Sequence, residues 1–125
     1  THAAGYDLKV AEPTTINPGE ITLVPTGVKA YMQPGEVLFL FDRSSNPRKK
    51  GLVLINSVGV IDGDYYNNPS NEGHIFAQMK NITDKAVTLP YGERIVQGVF
   101  MNHLTVDNDV ASGDRTGGFG STDKD

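Results

Sequence analysis

The chain has 125 residues, a formal net charge of −4 at neutral pH and no cysteine. This length suits one domain with a single core, and the lack of cysteine excludes a disulfide framework and a thiolate zinc site. A net negative chain exerts no long-range attraction on nucleic acid or anionic membranes, so neither is an expected partner.

Short segments rich in β-branched and aromatic residues recur along the chain and predict strands. In chain order they are ITLVPTGVKAYM (21–32), GEVLFLFD (35–42), GLVLINSVGVI (51–61), HIFAQMKN (74–81), AVTL (86–89) and RIVQGVFMNHLTV (94–106). Turn formers separate them at short intervals, for example Asn17-Pro18-Gly19, Gln33-Pro34-Gly35 and Pro90-Tyr91-Gly92. The pattern is typical of an all-β sandwich, barrel or jelly roll, with very little helix.

The last segment, residues 109–125, loses the apolar alternation and by composition fits a flexible tail. It also holds Arg115, several glycines and the hydroxyl pair Ser121 and Thr122, a combination that suits a phosphate group. We therefore predict a single β domain over residues 1–108 and a flexible C-terminal arm over residues 109–125. With no membrane-length apolar run and no recognisable signal peptide, the expected location is cytoplasmic.

Three short polar stretches offer candidate functional groups, each with an ordinary alternative. Asp7 in AAGYDL is either functional or a turn aspartate. Arg43, Ser44 and Ser45 in DRSSNPR form either an anion site or a solvated loop. Gln97 in GERIVQG is either a ligand-binding amide or a solvent-facing strand residue. None of the three stretches is decisive by itself.

The stretch GVIDGDYY, residues 59–66, is a stronger indication of a functional site than these three stretches, because an apolar strand ends there in two carboxylates. Burying a carboxylate is costly, so Asp62 and Asp64 must be solvated, paired or retained for a task. A rigid strand also fixes the residue that follows it, which is how catalytic groups are best held. Asp62 is therefore the leading candidate for a catalytic residue.

Taken together and in this order, these stretches resemble the five sequence motifs of the trimeric dUTPase family. The corresponding segments are residues 4–8, 43–45, 56–65, 92–97 and 115–122. The likeness covers nearly the whole chain and extends to the linking piece PGEITLVPTG, residues 18–27. It implies a distorted jelly roll or β-clip-like barrel, and a homotrimer with active sites at subunit interfaces. It also implies that the C-terminal arm closes over another subunit's site.

The resemblance implies a chemical role for Asp62. As a general base it would activate a water for in-line attack on the α-phosphorus of dUTP, releasing dUMP and pyrophosphate. Such an enzyme limits uracil in DNA and supplies dUMP for thymidylate synthesis.

The resemblance also implies how the nucleotide is bound. Tyr65 would lie against the deoxyribose, Phe119 would stack on the base, and Asn56 with the main chain of Gly59, Val60 and Ile61 would read uracil. Mg²⁺ across the phosphates would be the cofactor, contacted by Asp7 through water. The implied donors to the triphosphate are Arg43, Ser44, Ser45, Gln97, Arg115, Gly120, Ser121 and Thr122.

Three features depart from the family pattern. The stretch YYNNPSNEGH, residues 65–74, is longer than the turn that many members have there, and it looks like a surface loop with little part in the mechanism. Ser45 stands where a glycine is common. The spacing from Arg115 to Phe119 is one residue shorter than in many members, which bears on the reach of Arg115 to the γ-phosphate.

Two alternatives remain. A dCTP deaminase-type enzyme of the same fold would need a catalytic glutamate where this chain has Gln78, and a neutral amide cannot shuttle the proton. A nucleotide-binding or protein-binding module without turnover would have no need of Asp62, because a carboxylate repels a polyanionic ligand. The hydrolase interpretation is therefore preferred.

Overall fold

The computed structural model describes residues 3–106, which form nine strands and two short helical turns. The strands are β1 (Tyr6–Lys9), β2 (Thr14–Ile16), β3 (Ile21–Pro25), β4 (Glu36–Asp42), β5 (Leu52–Leu54), β6 (Val58–Ile61), β7 (Phe76–Asn81), β8 (Val87–Leu89) and β9 (Arg94–Asn102). The predicted all-β class is confirmed, and the predicted arm at 109–125 lies outside the described residues.

The strands make three antiparallel sheets. The first sheet has the order β1-β9-β4-β6, the second pairs β2 with β8, and the third has the order β3-β7-β5. Strands that are far apart in sequence, such as β4 and β9, therefore lie side by side. The result is the jelly-roll-like β fold that the sequence predicts.

Several strand boundaries differ from the sequence prediction. The run at 51–61 splits into β5 and β6, because Ser57 adopts a left-handed φ of 69° and turns the chain. The run at 21–32 keeps strand geometry only as far as Pro25, and Gly27 follows with φ 72°. Strands β1 and β2 were not predicted, because they are short and carry polar residues on their outer faces.

The basic stretch after β4 is a helical turn where the sequence predicts a loop. Residues Asn46–Lys50 form one turn with π-type hydrogen bonds, with Pro47 near its start. Gly51 ends the turn in a left-handed conformation, and its N–H donates to the Asn46 carbonyl. The other helical turn is the 3₁₀ turn Gly63–Tyr65, directly after β6.

The core is lined by side chains from all three sheets. Strand β7 shows the alternation that creates it, since Ala77, Met79 and Asn81 are buried whereas the residues between them are half-buried. The largest apolar side chains below 2% exposure are Ile16, Leu40, Leu52, Ile75, Met79, Leu89, Ile95, Val10, Val24 and Val96.

The other face of the first sheet keeps apolar side chains at its surface. Phe41 pairs with Val58, and Phe39 pairs with Val60, so all four side chains lie on one face. Val60 is 55% exposed, and the two phenylalanines are half-buried. This set, Phe39, Phe41, Val58 and Val60, is called the outer apolar patch below.

Among residues 3–106, no helix is long and apolar enough to span a membrane.

Asn81 is fully buried and joins three segments of backbone. Its Nδ2 donates to the carbonyls of Ile16 and Lys85, and its Oδ1 accepts from the N–H and hydroxyl of Thr83. Asn81→Ala should leave these buried groups unpaired and lower the free energy of unfolding by about 2–4 kcal/mol. The measurement is urea unfolding at one fixed protein concentration.

Asp84→Asn is the matched control, because Asp84 is exposed on the adjacent turn. A surface change of this kind should shift the free energy of unfolding by no more than about 0.5 kcal/mol. Equal shifts in the two variants would contradict the role assigned to Asn81.

Candidate functional site

Asp62 lies at the point where β6 passes into the 3₁₀ turn Gly63–Tyr65. Its backbone is extended, with φ −78° and ψ 160°, and the residue is exposed. The Tyr65 N–H donates to the Asp62 carbonyl at 3.1 Å. The carboxylate predicted as a base therefore sits on a fixed backbone at the edge of the sheet.

The basic and hydroxyl residues gather at the end of β4. The Arg43 N–H donates to Asp42 Oδ1 at 3.0 Å, and Arg43 Nη1 donates to Ser45 Oγ at 3.2 Å. Ser44 is exposed beside them. Asn46, which is fully buried, donates to both Asp42 Oδ1 and the Ile95 carbonyl, and so fixes this turn against β9.

Asp7 lies between two guanidinium groups. Arg43 Nε is 3.5 Å from Asp7 Oδ1, and Arg94 Nε is 3.7 Å from Asp7 Oδ2. Each carboxylate oxygen faces a cation, while the side chain keeps 38% of its surface open to solvent. Asp7 therefore orients two arginines at the surface, and its exposed part can still contact water.

Gln97 completes this end of the sheet. It pairs with Asp7 on one side and with Phe41 on the other, so the three side chains share a face. Its Nε2 lies 3.4 Å from the Asp42 carbonyl. A Cβ at Gly5 would lie only 2.8 Å from Gln97 Oε1, so a larger residue there would require the Gln97 amide to move.

Asn56 occupies the turn between β5 and β6. The Val58 N–H donates to the Asn56 carbonyl at 2.8 Å, and the Asn56 side chain is exposed. Gly59, Val60 and Ile61 follow on β6, where Gly59 packs on Leu40 so closely that a Cβ would lie 3.1 Å from the Leu40 side chain. The residues predicted to read uracil thus lie on β6 and on the exposed turn that leads into it.

Tyr65 is placed differently from the other predicted binding residues, because its side chain is only 3% exposed and packs in the core. Its hydroxyl donates to the His74 carbonyl and accepts from Asn71 Nδ2 at 2.9 Å. The burial favours the ordinary interpretation of a strand-end aromatic that caps the core. A contact with the sugar stays a prediction.

The structure brings the predicted residues together in two groups. Asp7, Arg43 and Gln97 meet at the end of β4, where Gln97 pairs with Phe41. Phe41 also pairs with Val58 of β6, and Asp62 lies four residues further along the chain. At roughly 3.4 Å per residue and 4.8 Å per strand, the Cα atoms of Asp62 and Gln97 are about 17 Å apart. Within one chain, Asp62 and the group of Asp7, Arg43 and Gln97 therefore lie at opposite ends of the paired strands.

Two functional candidates were missed by the sequence prediction. Arg94 is 61% exposed and shares Asp7 with Arg43, but in sequence it looks like one more charge in a strand. Asp42 accepts from Arg43, Asn46 and the N–H of Leu54, and so organises the whole turn. A carboxylate directly before a basic stretch is the signal that could have identified it.

The five binding residues predicted in the C-terminal arm lie outside the described residues; they are Arg115, Phe119, Gly120, Ser121 and Thr122. Gln78 is on β7, where it pairs with Leu23 and its carbonyl accepts from Ile55 N–H. Within residues 3–106, no group of three or more His, Asp or Glu side chains could hold a metal ion.

Comparison with known proteins points in one direction. A sequence model of the dUTPase family matches residues 1–123. The chain is 67% identical over 123 residues to the deoxyuridine 5'-triphosphate nucleotidohydrolase of Lactococcus lactis subsp. lactis (strain IL1403), covering 97% of this chain and 82% of that protein.

Solved structures agree. The dUTPase from Streptococcus mutans matches with a TM-score of 0.85 and 80% identity, over 86% of this chain and 84% of that one. The dUTPase from phage phi11 of S. aureus shares the fold, with a TM-score of 0.74 and 21% identity, over 90% of this chain and 85% of that one.

The jelly-roll-like β fold and the matches to named nucleotidohydrolases place the chain in the class of nucleotide hydrolases. More specifically, the chain belongs to the dUTPase family, the deoxyuridine 5'-triphosphate nucleotidohydrolases. It is a dUTP diphosphatase that hydrolyses dUTP to dUMP, and the deaminase alternative is not favoured.

The role of Asp42 yields a prediction. The Asp42 carboxylate accepts from the N–H groups of Arg43 and Leu54. In Asp42→Asn, an amide N–H₂ group would face one of these N–H donors, and the clash should displace Arg43. We expect kcat/KM for dUTP to fall about tenfold and the urea midpoint to fall as well. Steady-state kinetics and urea unfolding measure both effects.

Glu20→Gln removes a charge from an exposed position away from this turn, and should leave both quantities unchanged. An Asp42→Asn protein with normal kcat/KM would show that the order Asp42 gives to the turn around Arg43 does not matter for turnover.

Proposed function

We propose that Asp62 is the general base of dUTP hydrolysis. It accepts a proton from a water that attacks the α-phosphorus in line, and pyrophosphate leaves as dUMP forms. The supporting observation is the position of Asp62, exposed at the end of β6 on a backbone fixed by the Tyr65 N–H. A positioned base of this kind contributes roughly 10²–10⁴ in rate.

Uracil recognition is proposed for the turn between β5 and β6 and for β6 itself. The exposed Asn56 amide can both donate and accept, and the main chain of Gly59 to Ile61 follows it on β6. A site matched to the hydrogen-bonding edge of uracil would leave groups unpaired with cytosine, a mismatch that discriminates by up to about 10⁴–10⁵. Tyr65, which follows β6 and is part of the core, is the proposed wall of the sugar site.

Phosphate binding is proposed for the residues at the end of β4. Arg43 and Arg94 are already held by Asp7, while Ser44, Ser45 and Gln97 add neutral polar groups beside them. Charge-assisted hydrogen bonds from arginine suit phosphate oxygens. The sequence predicts further donors in the arm, Arg115, Gly120, Ser121 and Thr122, together with Phe119 for the base.

Mg²⁺ is the proposed cofactor. Magnesium keeps several waters and is often bound by few carboxylates together with substrate phosphates, which fits a chain whose described part has no multidentate acidic cluster. Asp7 would contact the ion through water, because both its oxygens already face arginines. Bound magnesium would screen the phosphate charge. A mutant of the phage phi11 dUTPase coordinates a structural Mg(II) ion.

A homotrimer is proposed because the two residue groups of one chain are too far apart to act together. General base catalysis requires Asp62 within hydrogen-bonding reach of a water at the same phosphate that the arginines hold. By strand geometry, the Cα atoms of Asp62 and Gln97 are instead about 17 Å apart. A cyclic arrangement would bring Asp62 of one subunit against Arg43 and Gln97 of the next.

The outer apolar patch is the proposed surface for this contact. Asp62 lies two residues beyond Val60 and so extends the row of β6 side chains on the same face. Gln97 pairs with Phe41 at the opposite edge of the patch. A subunit packed on Phe39, Phe41, Val58 and Val60 would therefore cover apolar surface between the two residue groups.

The cytoplasmic location stays a prediction from sequence.

The proposed chemistry predicts a clear outcome for Asp62→Asn. Wild type should convert dUTP, but not dCTP, dTTP or UTP, to the monophosphate and pyrophosphate, and EDTA should abolish turnover. Asp62→Asn should still bind a non-hydrolysable dUTP analogue, while kcat falls by roughly 10²–10⁴ because the base is lost. Chromatography of the products and calorimetric binding measure both properties.

A different set of products would contradict the proposal. Ammonia released from dCTP would identify a deaminase despite Gln78, and undiminished turnover by Asp62→Asn would remove Asp62 from the role of base.

The shared site predicts complementation between inactive chains. Asp62→Asn and Arg43→Ala subunits should each form inactive homotrimers, because every site lacks one group. When mixed trimers assemble at random from equal amounts, about a quarter of sites should receive both wild-type groups from neighbouring subunits. Activity after co-refolding of differently tagged chains measures this fraction.

The control mixes Asp62→Asn with a chain that carries both substitutions, so every subunit lacks the Asp62 carboxylate and no activity should be recovered. Failure of the first mixture to recover activity, despite co-purification of the two tags, would mean that both groups act from one subunit.

A further inference from the structure

Residues 66–73 form a closed, internally bonded loop. The Asn67 N–H donates to the Glu72 carbonyl, and the Glu72 N–H donates to the Asn68 carbonyl, both at 2.9 Å. Asn68 is only 3% exposed, and its Oδ1 accepts from the backbone of Ser70. The loop is therefore a compact structure of the Ω type and not a loose connection.

Gly73 shows how tightly the loop closes on the residue before it. Its φ is +91°, and a Cβ there would lie 2.9 Å from the Asn67 nitrogen and 3.0 Å from the Tyr65 carbonyl oxygen. Lys29 contacts the outer side of the loop, since its Nζ donates to Asn67 Oδ1 and lies 5.0 Å from the centre of the Tyr66 ring. The loop is fixed from both sides.

This loop holds Tyr65 through its side chain and its backbone. Asn71 Nδ2 donates to the Tyr65 hydroxyl at 2.9 Å, and that hydroxyl donates to the His74 carbonyl. Asn68 Nδ2 donates to the Tyr65 carbonyl at 2.7 Å and to Asn71 Oδ1 at 2.8 Å. The loop thus supplies partners for polar atoms of a residue that is 3% exposed, where unpaired groups are costly.

Tyr65 in turn fixes the backbone of Asp62. Its N–H donates to the Asp62 carbonyl at 3.1 Å and closes the 3₁₀ turn Gly63–Tyr65. Strand β6 holds Asp62 from the other side, where Ile61 pairs with Leu38. A hydrogen-bonded path therefore runs from Asn71 through the Tyr65 side chain to the backbone of Asp62.

We propose that Asn71 is a positioning residue for the carboxylate of Asp62, acting through Tyr65, and that the 66–73 loop is its rigid support. The inference rests on the proposed role of Asp62 as the base. Small displacements matter in such a site, because an error of about 1 Å can cost 10²-fold in rate. In the described residues, no hydrogen bond joins the loop to Arg43 or Gln97, so phosphate binding should be spared, and Tyr65 remains in the core as the proposed wall of the sugar site.

The test compares Asn71→Ala with Ser70→Ala. Ser70 is exposed on the same loop, so its substitution controls for loop surface changes. Asn71→Ala should lower kcat about 10–100-fold, while KM and the Kd of a non-hydrolysable dUTP analogue stay within about twofold. Ser70→Ala should leave kcat unchanged. A kcat for Asn71→Ala equal to that of Ser70→Ala overturns the proposal, as does a change confined to KM.

A double-mutant cycle with Tyr65→Phe separates positioning from a general loss of structure. If Asn71 acts through the Tyr65 hydroxyl, Asn71→Ala should lower kcat by less than about twofold when Tyr65→Phe is already present. If the two effects on kcat multiply in full, Asn71 does not act through Tyr65, and the proposal fails.

Asn71→Ser covers the case in which Asn71→Ala does not fold. A serine hydroxyl can still accept from the Gly73 N–H, as Asn71 Oδ1 does, but it is too short to reach the Tyr65 hydroxyl. Its kcat should fall as for Asn71→Ala.

Asp62→Asn distinguishes the two proposals. If Asp62→Asn is active, the base assignment fails; if it is inactive while both Asn71 variants turn over normally, only the positioning inference fails.

Discussion

The structure depends on the pairing of β4 with two neighbours at once. Leu40 pairs with Gly98 of β9 on one side and with Gly59 of β6 on the other. A Cβ at Gly59 would lie 3.1 Å from the Leu40 side chain, and a Cβ at Gly98 would lie 3.1 Å from Leu38. Glycines on both flanks let β4 bury its leucines. The same register fixes which functional residues emerge at each end of the sheet.

Two buried polar networks support those two ends. At one end Asp42 binds the backbone of Arg43 and Leu54. At the other end the 66–73 loop binds Tyr65 at its hydroxyl and its carbonyl. A buried polar network rigidifies a structure when every member is paired and destabilises it when one partner is removed. Residues that touch no substrate can therefore control both stability and catalysis.

Local electrostatics explain how a chain with a net charge of −4 can bind a triphosphate. Asp7 holds Arg43 and Arg94 at the surface before substrate arrives. Pre-oriented cations lose less side-chain freedom on binding, and local cations can offset the net charge because charge interactions are short in range in salt. Asp62, the proposed base, lies away from these arginines within a chain, so the proposed site takes residues from two subunits.

The all-β class could be predicted from the sequence alone, because short β-rich runs between turn formers leave few other solutions, and the ordered motifs identified the family. The sequence also identified Asp62, Arg43 and Gln97 as candidates, since residue types and order are local properties. Tertiary structure alone decided that Asp62 lies far from Gln97, that Tyr65 is buried, and that the loop judged peripheral from sequence supports it. Those facts follow from strand register and packing between distant segments, which no local pattern encodes.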